Sequence, residues 1–553
     1  MKIRHAMLAG ACLGLGLASP GAAKKAGRQV APAAPAAQVA PAATDTLGQA
    51  IADAYRNNPQ LEAQRAQLRA LDETVIQASS PYRLRSSVVG SIRYQEQVQR
   101  DVFFDDLVTN RNRALGASLT ASQILFNGGR TAAQVDAAEA GVLSGRERLR
   151  EVENFILFEV VDSYVSVLRD QALIAIQRRS VQSYQYQVDQ ARARERGGDL
   201  TRTDIAQAEA QLRIIQTQLR QAEANLERSR ARFAAVVGRN PGTLAPPPPL
   251  PGVPASIDMA FRVAESESPT LWQAILNERA GRARISAERA ERNPILSADA
   301  AIGINNPNSI GFGGLERGAS ASATLTVPLL TAGVVASRVR QAIANQQALA
   351  FNVEATRRGV DSQVQNSWNQ SVSSSEQLVI ATEAVQAAEQ ALTGVRRGFQ
   401  EGFRSNFEVL DSEQRLLNAQ IIVANAAYQR YSSQANLLTY LGRLEAAAID
   451  QAVAVYDAAE NLRRQKRKQI DPFQPIVAPL DRLARAEDDS RPAPVVEPAP
   501  SPVVRPAQTP PPQRPLGTGL PVDPANPRPA LPPEEAPAPH QTPRPVAGPP
   551  AGN

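Results

Sequence analysis

The fold is decided by the stretch Gly398-Phe-Gln-Glu-Gly-Phe-Arg-Ser-Asn-Phe-Glu-Val-Leu-Asp-Ser-Glu413. One long helical pattern ends at its glycines and another begins just after them. Gly402 predicts the end of the first helix, because glycine enters the left-handed backbone region without steric cost. Ser405 precedes Glu408 by three residues, the spacing of a capping box at the start of a helix. The stretch therefore predicts a helix–turn–helix tip that carries acidic side chains.

A second tip with the same layout lies earlier, where residues 196–209 read Arg-Gly-Gly-Asp-Leu-Thr-Arg-Thr-Asp-Ile-Ala-Gln-Ala-Glu. Four residues correspond at a constant separation along the chain: Gly198 with Gly402, Thr201 with Ser405, Asp204 with Glu408, and Glu209 with Glu413. The chain is therefore predicted to be a duplication, with two helical hairpins that point the same way.

Composition excludes several classes of function. The single cysteine is Cys12 and the two histidines are His5 and His540, all outside the predicted folded body, so that body has no thiol nucleophile, histidine base or His/Cys metal site. We expect no enzyme and no cofactor, although catalysis by carboxylates alone stays open. The net charge of +6 comes from basic residues interleaved with acids, without aromatic residues between basic patches, so no nucleic acid partner is expected.

The two ends of the chain differ from its body. Residues 1–23 have the charged start, apolar run and small-residue end of a signal peptide, with a lipoprotein signal at Cys12 as the alternative. Residues 24–44 form an Ala/Pro linker. Residues 445–470 predict one extra helix, and the Pro-rich residues 471–553 predict a disordered tail.

Period-two alternation predicts four strands, at about 85–95, 113–124, 295–304 and 317–329. Each strand has one apolar face and one face of small polar residues. A soluble hairpin packed on a core is the plain interpretation, but two such hairpins flanked by long helices favour a transmembrane barrel. Four strands cannot close a barrel, and lipid does not tolerate open edges, so several chains would share one barrel.

The helical segments complete two repeats, 45–255 and 256–444, with tips at 196–204 and 398–408. In each repeat a helix precedes the strands, and a proline-free run of roughly 65 residues, about 100 Å long, leads to the tip. A return helix of some 40 residues follows. The predicted fold is mainly α with a small β part, built from long antiparallel helix pairs and β-hairpins.

This order of elements resembles the TolC family of outer-membrane efflux and secretion channels over residues 46–443. The motifs that carry the resemblance are Asn58-Pro-Gln-Leu61, Gly198 to Glu209 and Gly402-Phe-Arg-Ser-Asn-Phe-Glu-Val-Leu-Asp411. The resemblance implies a homotrimer with a twelve-stranded barrel in outer-membrane lipid and a periplasmic α-helical tunnel. It also implies two partners, an inner-membrane transporter and a periplasmic adaptor.

The resemblance further implies a gate at the tips. Its latch would join Arg404 to Thr203 and Asp204 of a neighbouring helix pair, and Glu408 and Asp411 would ring the constriction. Phe399 occupies the position of a tyrosine that the family often uses as a further latch, and it lacks the hydroxyl for that hydrogen bond. Glu408 and Asp204 also fit the plainer role of acids that cap the start of a helix.

We therefore expect an outer-membrane exit channel of an efflux or type I secretion system, gated at the helix tips. The alternative is a periplasmic coiled-coil scaffold without a pore. The sequence leaves open whether small molecules or proteins pass through the channel.

Overall fold

The protein is described by a computed structural model at residues 44–100, 107–198, 200–307, 309–450, 453–468 and 473–483. The predicted signal peptide, nearly all of the linker and the tail beyond residue 483 lie outside these residues. The first repeat contains α1 (Leu47–Asn57), α2 (Pro59–Ala78), β1 (Arg85–Arg100), β2 (Leu107–Phe126), α3 (Arg130–Arg196) and α4 (Arg202–Val237). The second contains α5 (Ile257–Glu267), α6 (Pro269–Arg289), β3 (Ile295–Asn306), β4 (Glu316–Thr326), α7 (Val334–Gln400) and α8 (Asn406–Leu441). Three short helices follow: α9 (Ala446–Ile449), α10 (Glu460–Lys468) and α11 (Gln474–Leu483).

The two repeats are built to the same lengths. Helices α3 and α7 have 67 residues each, and α4 and α8 have 36 each. The break before α2 is also repeated, because Pro59 and Pro269 each begin a helix, where a missing amide hydrogen costs nothing. Asn58 caps this start by accepting hydrogen bonds from the Gln60 and Leu61 amides at 2.9 and 3.3 Å.

The long helices form the body of the molecule. Helix α3 packs against α4, α6, α8 and α2, while α7 packs against α8 and α6. The main buried cluster includes Tyr164 on α3 and Phe233 on α4, whose ring centroids are 6.4 Å apart. The Tyr164 hydroxyl donates hydrogen bonds to the Asp45 and Ala245 carbonyls at 2.8 and 2.6 Å. This contact ties the linker between the repeats to the middle of the first long helix.

The four strands form one antiparallel sheet in the order β1-β2-β3-β4. Val88 pairs with Leu119, Leu119 with Ile302, and Ile302 with Ala319, so the apolar residues share one face. That face is open, with Ile302 57% exposed and Val88 77% exposed. Among the strands that the structure describes, β1 and β4 have one neighbour each, which leaves the two outer edges of the sheet available for pairing.

The first two strands are longer than their alternation predicts. β1 continues to Arg100 and β2 begins at Leu107, because residues 95–100 and 107–113 pair through their backbones although both faces there are mostly polar. β4 ends at Thr326, short of the predicted 329, and Pro328 two residues later has no amide hydrogen to donate to a ladder.

The region after the second repeat corrects two predictions. One helix over 445–470 is wrong, because α9 ends at Ile449 and a new helix begins at Glu460, where Asp457 accepts a hydrogen bond from the Ala459 amide at 2.8 Å. The predicted disordered tail is helical over α11, whose Val477 and Asp481 side chains are buried against the body. In the described part of the chain, no helix has an apolar stretch long enough to cross a bilayer.

Candidate functional site

The second tip is a tight turn whose glycines are required by geometry. Gly402 has a φ of +81°, and the Gly398 carbonyl accepts hydrogen bonds from the Phe403 and Arg404 amides at 2.8 and 3.2 Å. A Cβ atom on Gly398 would lie 2.7 Å from Cγ of Arg404, so the arginine stem occupies the space that a side chain would need. Ser405 and Glu408 then start α8 with the capping box that their spacing predicts.

The first tip repeats this construction. Gly198 has a φ of +86°, and Thr201 and Asp204 form the capping box of α4. The Asp204 carboxylate accepts hydrogen bonds from the Thr201 hydroxyl and amide at 2.7 and 2.9 Å. These hydrogen bonds lower the pKa of Asp204. The plainer role of Asp204 and Glu408 as helix-capping acids is therefore confirmed.

Each candidate constriction acid is paired with an arginine four residues away in the sequence, which lies in the turn before α8 for Glu408 and on α8 for Asp411. Glu408 binds Arg404 at 2.7 Å, and Asp411 binds Arg415 at 2.9 Å. The Arg404 hydrogen bond, followed by that of the Ser405 amide, lowers the pKa of Glu408. Both acids are exposed enough to face a solvent-filled opening while keeping these partners.

The structure does not bring the predicted latch residues together within one chain. Arg404 binds Glu408, whereas Thr203 and Asp204 lie on the other tip, with Thr203 exposed to solvent. The latch implied by the family resemblance joins neighbouring helix pairs, and in a single described chain it stays a prediction.

Phe399 forms a contact between the two tips that the sequence did not reveal. Its ring is 7% exposed and lies under the guanidinium of Arg194, with Cζ of Arg194 4.2 Å from the ring centroid. Nη1 of Arg194 also points to the Phe399 carbonyl at 3.5 Å, which is long for a hydrogen bond. The missing hydroxyl is thus replaced by a cation–π contact that joins the end of α7 to the end of α3.

A buried cluster behind the tips was also missed. Glu413 on α8 is 5% exposed and accepts hydrogen bonds from three side chains: Arg396 on α7 at 2.8 Å, Ser183 on α3 at 2.9 Å and Gln187 on α3 at 3.0 Å. Beside it, the buried Tyr184 hydroxyl donates to the Leu410 carbonyl at 3.2 Å, and burial raises the pKa of this tyrosine. The cluster fastens the second hairpin to the first long helix.

The same arginine–glutamate pair occurs in both repeats with different surroundings. Arg192 and Glu209 of the first repeat, in the places of Arg396 and Glu413, form a salt bridge of 2.6 Å that is open to water. The signal for the second pair was therefore present in the sequence as a repeated spacing. Its burial depends on how α8 packs on α3, which local patterns do not determine.

The family model described as outer membrane efflux protein matches residues 50–239 and 261–443. The chain belongs to this family. The predicted TolC-type fold is thereby confirmed, and the family places the chain in the outer membrane as an efflux channel.

Three relatives show how far the similarity extends. The outer membrane efflux protein BepC of Brucella suis is 28% identical over 438 residues, which cover 77% of this chain and 92% of BepC. AprF of Pseudomonas aeruginosa, an alkaline protease secretion protein, is 27% identical over 59% of this chain and 69% of its own. TolC of Escherichia coli is 24% identical over 72% of this chain and 83% of its own.

The fold is shared with solved channels at lower identity. The CmeC outer membrane channel of Campylobacter jejuni superposes with a TM-score of 0.65 over 77% of this chain and 90% of its own, at 14% identity. At that identity the likeness concerns the fold, so the roles of the tip residues rest on their own geometry.

Proposed function

We propose that three copies of this exit channel close one twelve-stranded barrel, above a tunnel formed by their long helices. The observation that carries the proposal is the four-stranded sheet, whose apolar face is exposed and whose outer strands each have an edge available for pairing. Hydrocarbon offers no hydrogen bonds to backbone groups, so such edges are stable in a membrane only when they pair. Sharing strands between copies supplies that pairing.

The tunnel is proposed to receive its cargo from an inner-membrane transporter through a periplasmic adaptor. The channel itself would be passive, with energy supplied by the transporter. One relative is named for efflux and another for protease secretion, so the proposed cargo spans small molecules and proteins.

The helix tips are proposed as the gate. Glu408 and Asp411 would face the opening, and Arg404 would bind Thr203 and Asp204 of a neighbouring helix pair. The stacking of Arg194 on Phe399 and the cluster around Glu413 support this proposal, because both resist separation of the second tip from α3. Gly198 and Gly402 would keep the two turns narrow.

The test is single-channel conductance of the purified protein in a planar bilayer. We expect a small conductance with cation preference, and Glu408→Gln combined with Asp411→Asn should lower that preference. Glu227→Gln is the matched control, because Glu227 is also an exposed helix acid with an arginine one turn away, on α4. Unchanged preference in the double variant would reject the acid ring. Failure of every preparation to insert would favour the periplasmic scaffold.

A further inference from the structure

The chain continues beyond its family match and returns to the junction between helices and sheet. The match ends at residue 443, and α10 then packs along α2. Leu462 of α10 is buried with Val75 and Val142, and Asn461 donates to the Asp72 carboxylate at 2.8 Å. Helix α11 lies further along, against β2 and the start of α3. The two helices thus lead from the helical body to the end of the sheet that joins the long helices.

A buried aspartate fixes the orientation of α11. Asp481 is 1% exposed and accepts four hydrogen bonds: from the Tyr82 hydroxyl at 3.0 Å, and from the Asn127, Gly129 and Ala132 amides at 3.2, 2.8 and 3.3 Å. Helix α3 begins after Gly129, which has no side chain for a cap. Asp481 therefore caps α3 together with Asn127, whose Oδ1 accepts a hydrogen bond from the Thr131 amide at 3.2 Å. The negative charge of Asp481 also suits the positive end of the helix dipole.

The face of α11 next to the buried one is apolar and exposed. Ile476, Leu480 and Leu483 are 63%, 51% and 83% exposed, and their spacing of four and three residues places them on one side of the helix. Phe473 lies three residues before Ile476 and extends the same stripe. A ten-residue helix held by a buried aspartate thus presents a stripe of large apolar side chains outward.

This stripe is continuous with the apolar face of the sheet. Phe473 lines a groove of about 490 Å³ together with residues of the sheet and its approach. Most of these are small or apolar (Leu84, Ala121, Leu125, Ala298, Ala300, Ala321 and Ala323), and three are polar (Gln123, Asp299 and Ser322). Ala298, Ala300, Ala121 and Ala323 belong to the face that carries Leu119 and Ile302. In a membrane-spanning barrel this face contacts lipid, so the groove opens toward acyl chains.

We propose that α11 lies in the periplasmic leaflet of the outer membrane, with its apolar stripe among the lipid acyl chains. The inference rests on the channel assignment, because it needs the sheet to span that membrane. Exposed cations lie near the stripe in the sequence, namely Arg467 and Lys468 at the end of α10 and Arg482 on α11, and such cations suit anionic phospholipid headgroups. The helix is an interfacial anchor beside the barrel, tied to the first residues of α3 through Asp481.

The test places a fluorescent label at single cysteines in full-length protein, with Cys12 replaced by serine. The protein is reconstituted in vesicles of phosphatidylethanolamine and phosphatidylglycerol that contain brominated acyl chains as quenchers. The three labelled variants are Leu480→Cys on α11, Ile302→Cys on the apolar face of the sheet, and Ser373→Cys on the exposed surface of α7. We expect bromine to quench the labels at 480 and 302 several-fold more than the label at 373.

The three labelled variants test the lipid contact of α11 separately from the membrane-spanning sheet on which it depends. Quenching at 302 without quenching at 480 would overturn the lipid contact of α11 and leave the channel intact. Absence of quenching at both positions would count against the membrane-spanning sheet itself. A label at 480 that is shielded from brominated lipid and from aqueous iodide would show that protein covers the stripe, and it would also overturn the proposal.

Discussion

At the scale of single residues, the tips combine capping boxes that the sequence predicts with a stacking contact that it does not. The sequence predicts the loss of a hydrogen bond at Phe399. In the structure, the Phe399 ring instead stacks against the guanidinium of Arg194. The capping boxes were predictable because their partners are three residues apart. The stacking was not, because its partners are about 200 residues apart and meet only when two hairpins pack side by side.

Phe399→Leu tests this contact with a smaller apolar side chain that has no ring face. The substitution removes the ring face beneath Arg194, a contact worth about 0.5–1 kcal/mol at a partly exposed site. We expect open probability in planar bilayers to rise roughly two- to fivefold, the factor that this energy represents. Phe399→Tyr keeps the ring and is the control, and its open probability should not exceed that of the parent protein, because the hydroxyl can only add the latch that the family resemblance implies for a tyrosine here. An unchanged open probability in the leucine variant would remove the stacking from the gate.

Arg396→Ala and Arg192→Ala form a second, matched pair at this scale. The first change leaves the buried Glu413 carboxylate without its cation, while the second breaks an exposed salt bridge of the same spacing. We expect Arg192→Ala to cost at most about 1 kcal/mol of local opening free energy. Arg396→Ala should cost about 2–3 kcal/mol, less than a fully buried pair because Arg396 is 46% exposed. Hydrogen exchange at the tip amides measures both values, and equal effects would contradict the structural role of Glu413.

At the scale of elements, α3 takes its N-terminal cap from a helix about 350 residues later in the chain. The sequence hid this because α11 contains Pro475 and Pro479 within a Pro-rich tail, a composition typical of disorder. Pro475 lies in the first turn, where a missing amide hydrogen is tolerated. The stripe of Phe473, Ile476 and Leu480 was the available signal. By contrast, the long helices were predictable, because a proline-free run of that length, rich in helix-forming residues, strongly favours helix.

Asp481→Asn tests the cap with little change of shape. Loss of the charge should weaken the start of α3 by about 1–2 kcal/mol, given the partly buried geometry at a helix N-terminus. Amides near Ala132 should then exchange roughly tenfold faster with deuterium. Asp457→Asn is the control, because its carboxylate starts α10 and should leave the exchange of α3 unchanged. Equal protection of α3 in both variants would mean that Asp481 does not hold this end.

At the scale of the whole molecule, the proposed opening carries carboxylates and arginines side by side. Glu408 and Asp411 are each paired with an arginine, so the cation preference of a trimer would depend on how far the carboxylates project beyond those partners. The sheet edges also belong to this scale. Their pairing between copies is proposed from a general property of lipid, and no residue in one chain reveals the register of that pairing.

The cation preference should depend on pH in a defined direction. The Arg404 hydrogen bond lowers the pKa of Glu408 from its ordinary value of 4.5, so the carboxylate stays ionised as the pH falls to that value. Its stabilising contacts are present above the ordinary value and are lost as the pH falls through the lowered one. Reversal potentials should be constant from about pH 7 to pH 5 and decline below about pH 4.5, with a smaller decline in Glu408→Gln. A decline that is complete by pH 6 would assign the preference to other groups.

The duplicated arginine–glutamate pair makes the two hairpins differ in how strongly they resist a force that separates their helices. When the exposed salt bridge between Arg192 and Glu209 breaks, water solvates both charges. Separating Arg396 from Glu413 leaves a carboxylate held between α7, α8 and the side of α3. A force that acts equally on both tips would therefore release the first hairpin early and the second late. We infer that the duplicated pairs would break in two stages, with the exposed pair separating first and the buried pair setting the final threshold.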